Sequence, residues 1–226
     1  MKDDRIAIIP ASGKGERISS IYPQVKQLLR LNNGLVIDYA LRTAKACGAW
    51  PHVTIPFDEE RVARYVSTMP GPSSFSYYPP GLLRTVHSLY HLFRGKKILY
   101  IMSDIAFFPQ SIGKSLFDIL SDSNGLVCAL FHTTEPHKFG MCEVHSQHVI
   151  GVQDKPRHWQ YGDAAWGLLA WDDRFWHCLG GTKEDNMTEA ISAFIEKNGP
   201  IKYVWLDSYK DIGTEEDYET ALEEGW

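Results

Sequence analysis

Up to Phe131 the chain alternates two patterns: short unbroken apolar runs, and segments whose apolar residues recur every three or four positions. An unbroken run suits a strand covered on both faces, and the wider spacing suits a helix with one buried stripe. Ile6 to Pro10, His52 to Pro56, Phe75 to Tyr78, the "KILYIMSD" stretch that ends on Asp104, and Leu126 to Phe131 read as strands. Between them, Ile37, Ala40, Leu41, Ala44 and Cys47 mark a helix stopped by Gly48. Val62, Tyr65 and Val66 mark a second with Asp58 as its N-cap, Val86, Leu89, Tyr90 and Phe93 a third after Gly81, and Ser111 to Leu120 a fourth. Alternating strands and helices predict a doubly wound or related three-layer sheet.

Beyond Phe131 the pattern changes. "GMCEVHSQHVIGVQDKP" reads as two strands about a tight turn at Ser146 and Gln147, and "AAWGLLAW" as one more, which predicts an antiparallel or mixed extension. Asn186 and Glu189 form an Asn-x-x-Glu start for a helix burying Met187, Ile191, Phe194 and Ile195, closed by Gly199 and Pro200. "IKYVWLD" is a further strand, and Thr214 caps a last helix burying Tyr218, Ala221 and Leu222. No repeat or low-complexity linker interrupts the chain, so residues 1–226 read as one domain.

Charge and cysteine usage narrow the function classes. A net charge of -5 gives no general attraction for nucleic acid or an anionic membrane, so phosphate binding must come from a local basic cluster. The first twenty residues carry acids and glycines where a signal peptide needs an apolar core, and no apolar run nears the roughly 20 residues of a membrane span. A cytoplasmic location is the resulting expectation. Cys47, Cys128, Cys142 and Cys178 form no CxxC pair and read as reduced, mostly buried thiols. Cys142, His145 and His148 flank the hairpin turn and could hold a metal, although surface or cross-strand histidines explain the spacing more simply.

The stretch "IIPASGKGERI" sets two glycines and an arginine directly after the first strand. Glycine lets backbone N–H groups approach an anion with no side chain in the way, so Ala11, Ser12, Gly13 and Gly15 form a candidate phosphate cradle. It is neither a Walker A loop, Gly-x4-Gly-Lys-Ser/Thr, nor a dinucleotide fingerprint, which needs a third glycine. Arg17 adds a planar guanidinium, and Lys26 in "YPQVKQLL" a compact ammonium. A triphosphate normally arrives with Mg2+, which takes one or two carboxylates together with phosphate oxygens. Asp104, just past the carboxyl end of a buried strand, stands where open α/β sheets place their ligands. Asp211 in "YKDIGTEEDY" precedes the last helix, and Lys155 in "QDKP" follows the hairpin. Each of these residues alone reads more readily as a turn, cap or solvated surface residue.

In order and spacing, these residues resemble the sugar-phosphate nucleotidyltransferases, the NDP-sugar pyrophosphorylases, in a short form like the glucose-1-phosphate thymidylyltransferases but without a C-terminal β-helix. The opening is similar to that family's apolar strand, Ala-Gly-Gly-x-Gly-Thr/Ser-Arg and Pro-Lys. "PPGLLRTVHSL" resembles its base-contacting segment, "IMSD" its metal-binding strand end, "VQDKP" its Glu-Lys-Pro segment and "AAWGLLAWD" its strand near Ala-Gly-Ile-Tyr. "KDIGTEEDYETAL" resembles its Asp-Ile-Gly-Thr-Pro-Glu-Asp-Tyr stretch, the most specific of the set. The resemblance runs from Ile6 to Leu222.

It implies a three-layer α/β/α, Rossmann-like fold related to the GT-A glycosyltransferases, with a mostly parallel central sheet and a small antiparallel extension. It also implies Mg2+-dependent joining of an NTP to a sugar 1-phosphate, with release of pyrophosphate. On that pattern Ala11, Ser12, Gly13 and Gly15 cradle the phosphates, Pro80 and Gly81 meet the base, and Arg17, Lys26 and Lys155 neutralise phosphate charge. Asp104 and Asp211 hold the metal. Neither nucleic acid nor membrane is an expected partner, and self-association of the chain stays open. The chain departs from the family pattern at Ser12, Glu16, Val25, Ser103 and Asp154. Rival readings are a non-sugar acceptor such as phosphocholine, a glycosyltransferase of related fold, which "SDIAFF" disfavours by lacking Asp-x-Asp, and a non-catalytic nucleotide-binding homologue. Trp159, Trp166 and Trp171 stand near the acceptor segment in sequence, and core packing is at least as good an account of them.

Overall fold

The computed structural model describes residues 4–11, 18, 25–57, 59–78, 82–179 and 186–226. In chain order the elements are β1 (Arg5–Pro10), β2 (Arg30–Leu31), β3 (Gly34–Leu35), α1 (Val36–Ala46), β4 (Trp50–Pro56), α2 (Glu60–Thr68) and β5 (Ser74–Tyr78). Next come α3 (Leu82–Ser88), α4 (Tyr90–Phe93), β6 (Lys97–Ile101), β7 (Ile105–Phe108), α5 (Ile112–Leu120), β8 (Leu126–His132), β9 (Gly140–His145) and β10 (His148–Asp154). The chain continues with β11 (Ala164–Trp171), α6 (Asp173–Leu179), α7 (Met187–Asn198), β12 (Ile201–Trp205), β13 (Ser208–Asp211) and α8 (Glu215–Glu223).

The central sheet has the order β5-β4-β1-β6-β11-β8-β12-β10-β9. Its pairings make every strand point one way except β11 and β10. Successive residues of a strand face opposite sides, and the apolar runs divide accordingly. Ala7, Ile9, Leu99 and Ile101 join a core with residues of α1, α2, α5 and α8. Ile6, Ile8, Ile98 and Tyr100 join a second core with residues of α3, α6 and α7. Helix, sheet and helix thus form the three layers.

Three sequence expectations are corrected. β11 is not part of a peripheral extension: it sits at the sheet centre, antiparallel to β6 and β8, with Leu168 and Ala170 in one core and Leu169 and Trp171 in the other. The helix expected from Val86 to Phe93 is two short helices that meet at Leu89, a buried residue at φ -75, ψ -9. The cap seen at α2 is Glu59, which accepts from the Arg61 N–H, whereas Asp58 lies outside the described residues. Other signals hold. Gly48 stops α1 at φ +69, Ser146 turns the β9–β10 hairpin at φ 56, Asn186 caps α7, and Thr214 and Asp217 form a capping box for α8. Among the described residues no helix is long and apolar enough to cross a membrane.

Candidate active site

The carboxyl ends of β1 and β6 lie side by side and are tied together: the buried Ser103 hydroxyl donates to the Pro10 carbonyl at 2.5 Å. From there β7 leaves the sheet and pairs antiparallel with β13, with Asp211 opposite Ile105. The Ile212 N–H donates to the Asp104 carbonyl at 2.9 Å. Two aspartates far apart in sequence therefore stand at adjacent ends of one two-stranded ribbon. Both line a cleft of about 380 Å³, whose other walls include Lys155, Trp166 and Thr188.

The opposite wall is built by the β9–β10 hairpin and the first turn of α7. Lys155 sits at φ 41, a left-handed conformation that is uncommon outside glycine, and its N–H closes on the Phe139 carbonyl at 2.9 Å. That bond fixes the turn that brings Lys155 to the cleft. Asp154 before it accepts from Thr188 Oγ1 at 3.2 Å, and Thr188 Oγ1 accepts from Trp166 Nε1 at 3.1 Å. The indole, hydroxyl and carboxylate form a relay that sets the direction of the Asp154 oxygens. Gly140 makes room for it, since a Cβ there would lie 2.7 Å from Thr188 Oγ1.

Tyr209 forms the floor. Its ring stacks on Phe131 with centroids 3.7 Å apart and planes within 7°, and Gly167 lets it approach, because a Cβ there would lie 2.9 Å from the Tyr209 ring. Burial first, then the carboxylates of Asp211 and Asp104, push the Tyr209 hydroxyl well above the usual phenol range. Lys138, also lining the cleft, pairs with Glu135 at 2.9 Å and Asp217 at 3.5 Å, and its ammonium is held above the usual lysine range, chiefly by the Glu135 hydrogen bond.

Lys26 Nζ lies 2.5 Å from Asp104 Oδ2, and both side chains are largely buried. Ala11 is buried at the end of β1, with its N–H bonded to the Thr54 carbonyl at 2.8 Å. The structure thus gathers Lys26, Asp104, Lys155 and Asp211, and sets Ala11 on the strand beside Ser103. Ser12, Gly13, Gly15, Glu16, Arg17, Pro80 and Gly81 lie outside the described residues. Of the three tryptophans, Trp166 lines the cleft, Trp171 is core, and Trp159 packs half-buried beside Tyr161.

Tyr209, Lys138, Thr188 and Asn186 line the cleft without having been singled out for chemistry in the sequence. The available signal was indirect: Gly140 and Gly167 lie in strands, where glycine often marks close approach by another group. All four cysteines are free thiols, with Cys128 and Cys142 buried, and burial raises both above the ordinary thiol range. His145 and His148 are cross-strand partners, and no group of three or more metal-ligating side chains occurs among the described residues.

No known family profile matches the chain, and no curated relative does. Solved structures do. A Bacillus anthracis structure described as a glucose-1-phosphate thymidylyltransferase in complex with sucrose matches with TM-score 0.84 at 18% identity, over 98% of this chain and 95% of that one. UTP-bound UGPase from Acinetobacter baumannii gives 0.84 at 14% identity, over 97% and 92%. A UDP-glucose pyrophosphorylase complexed with UDP-glucose gives 0.83 at 17%, over 97% of each chain. Over nearly its whole length, then, this chain has the fold of those nucleotidyltransferase structures.

Proposed function

We propose that the protein is a nucleotidyltransferase of the NDP-sugar pyrophosphorylase type, which joins an NTP to a sugar 1-phosphate and releases pyrophosphate. The observation that carries this reading is the β7–β13 ribbon, which holds Asp104 and Asp211 together in one cleft with Lys155, beyond the ends of parallel strands. In the reaction an oxygen of the acceptor phosphate attacks the α-phosphorus of the NTP. The bond from that phosphorus to its bridging oxygen breaks, and pyrophosphate departs with the electron pair. The nucleophile is already ionised, so no general base is needed, and the residues act by alignment and charge.

Lys155 holds the acceptor phosphate against repulsion from the triphosphate, and Lys26 meets the α-phosphate. The Asp154 carboxylate, oriented by Thr188, can accept hydrogen bonds from acceptor hydroxyls, which favours a sugar. Gly13, Gly15 and Arg17 for the terminal phosphates, and Pro80 and Gly81 for the base, enter from the resemblance alone.

The donor set fits Mg2+: two carboxylates stand on neighbouring backbone positions, and a cationic group already rests on Asp104. Mg2+ held by Asp104 and Asp211 would supply positive charge to the phosphate oxygens.

The test is pyrophosphate release across a panel of NTPs with sugar 1-phosphates and phosphocholine, repeated for Asp211→Asn and Lys155→Ala. Each substitution should lower turnover on the order of 10^2-fold or more at retained fold. Near-normal rates in both variants, or no activity of the unaltered protein with any pair, would overturn the proposal.

A further inference from the structure

The contact between Lys26 and Asp104 has no place in a mechanism where the lysine meets phosphate and the aspartate meets a metal. Lys26 is buried and Asp104 largely so, at 8% and 16% side-chain exposure, and Nζ sits 2.5 Å from Oδ2. A buried ammonium without an anion is strongly disfavoured, so each end needs the other while the cleft holds solvent. Mg2+ binds carboxylate oxygen at about 2.0 to 2.1 Å, so an ion on Oδ2 and the ammonium in its present place would lie less than about 5 Å apart. Two cations crowded on that oxygen repel each other strongly, which favours release of one.

We propose that Lys26 is an internal counter-cation for Asp104, handed from the carboxylate to a nucleotide phosphate when a divalent ion takes its place. This rests on the metal role given to Asp104 above. Metal and triphosphate then bind as a coupled pair. The ion alone would strand a buried ammonium, the triphosphate alone would have to draw the lysine from an aspartate left bare, and together they satisfy both ends.

Local geometry suits the exchange. Lys26 opens a 3-10 turn, Lys26–Leu28, closed by Leu28 N–H to the Val25 carbonyl at 2.8 Å and Leu29 N–H to the Lys26 carbonyl at 3.2 Å. Gln27 beside it is buried, and the two turn hydrogen bonds hold the backbone. The four-carbon stem can therefore swing the ammonium with no change in the chain path. Asp104 is equally fixed, by its carbonyl bond to Ile212 and by the Ser103 hydroxyl bond to Pro10.

The test is Mn2+ binding to the full chain without nucleotide, followed by electron paramagnetic resonance, in the unaltered protein and in Lys26→Met, Lys26→Gln, Asp104→Asn and Lys26→Met/Asp104→Asn. With the internal cation removed, both lysine variants should bind Mn2+ about tenfold or more tighter than the unaltered protein, a size typical of coupling between sites. Asp104→Asn should remove that gain. Lys26→Gln retains a neutral donor to Asp104, which keeps the test available if Lys26→Met does not fold. Unchanged, weaker or undetectable Mn2+ binding in the lysine variant that folds overturns the exchange. If Asp104→Asn removes Mn2+ binding at the same time, the metal role of Asp104 stands. Mn2+ binding indifferent to Asp104→Asn in every background overturns the metal role, and the exchange with it.

Discussion

Gly140→Ala places one methyl group between the two residues that orient Asp154. The added Cβ would lie 2.7 Å from Thr188 Oγ1 and 2.8 Å from Trp166 Cδ1, and closer still to the indole nitrogen, where ordinary contact begins at 3.4 Å. The indole must retreat by more than half an ångström, and its hydrogen bond to Thr188 goes with it. Overpacking costs about 1 to 3 kcal/mol and a lost hydrogen bond roughly 1. Because Trp166 is half-buried and can shift toward the cleft, the lower end applies, a net loss of about 2 kcal/mol. For a chain of this size that lowers Tm by about 4 to 8 °C.

The kinetic consequence is directional. An indole displaced into the cleft and an Asp154 released from Thr188 both act on the acceptor side, so kcat/KM for the acceptor should fall about tenfold, while that for the NTP changes much less. Trp166→Ala removes the ring atoms that clash. In that background the Gly140→Ala stability loss should shrink by at least about 1 kcal/mol, a coupling readable by denaturant titration of the double-mutant cycle. Additive losses, or equal kinetic effects on both substrates, would refute the relay.

His52 is buried between two hydroxyls, Nδ1 to Ser74 Oγ and Nε2 to Ser76 Oγ, each at 2.8 Å, and burial lowers its pKa from 6.5 to about 4. The unfolded chain therefore binds the proton first, and stability should fall as pH drops from 6.5 toward 4, with a slope approaching about 1.4 kcal/mol per pH unit that His52→Gln abolishes in denaturant titrations. Ser103→Gly leaves the Pro10 carbonyl without its donor and loosens the β1–β6 junction, and should cost about 1 to 2 kcal/mol in the same assay; a loss under about 0.3 would contradict the tie. Val25 holds φ -63, the value proline imposes, so Val25→Pro should stabilise by about 0.4 to 1 kcal/mol, and a loss would mean that its N–H is engaged.

The elements legible in the sequence are those whose pattern is local. β1 and β6 read as strands because both faces are buried and every position after the opening Arg5 and Lys97 is apolar, and α7 and α8 announced themselves by their caps. Asp104 stood out as the first charge after an apolar run. What stayed hidden depends on pairing across sequence distance. β11 looks the same whether it edges a sheet or fills its centre, and "IAFF" and "SYKD" carry too little pattern to announce a ribbon. Tyr209 belongs to the site only because Phe131 and Gly167 form a slot for its ring, and neither lies near it in sequence.

Two departures from the pattern this chain resembles, Val25 and Ser103, keep the geometry that the familiar residue would provide. Val25 takes the backbone angle of a proline. Ser103 is buried where glycine would fit, and its hydroxyl is absorbed by the Pro10 carbonyl. Asp154 is one methylene shorter than glutamate, yet Thr188 and Trp166 fix its direction. At Val25 and Ser103 the constraint falls on backbone angles and hydrogen bonds rather than on residue names. Asp154 differs from the other two in facing the cleft. Its shorter reach sets the carboxylate back by about one bond, roughly 1.5 Å, so under the proposed function the wall around Asp154 is where Asp154→Glu should change acceptor preference.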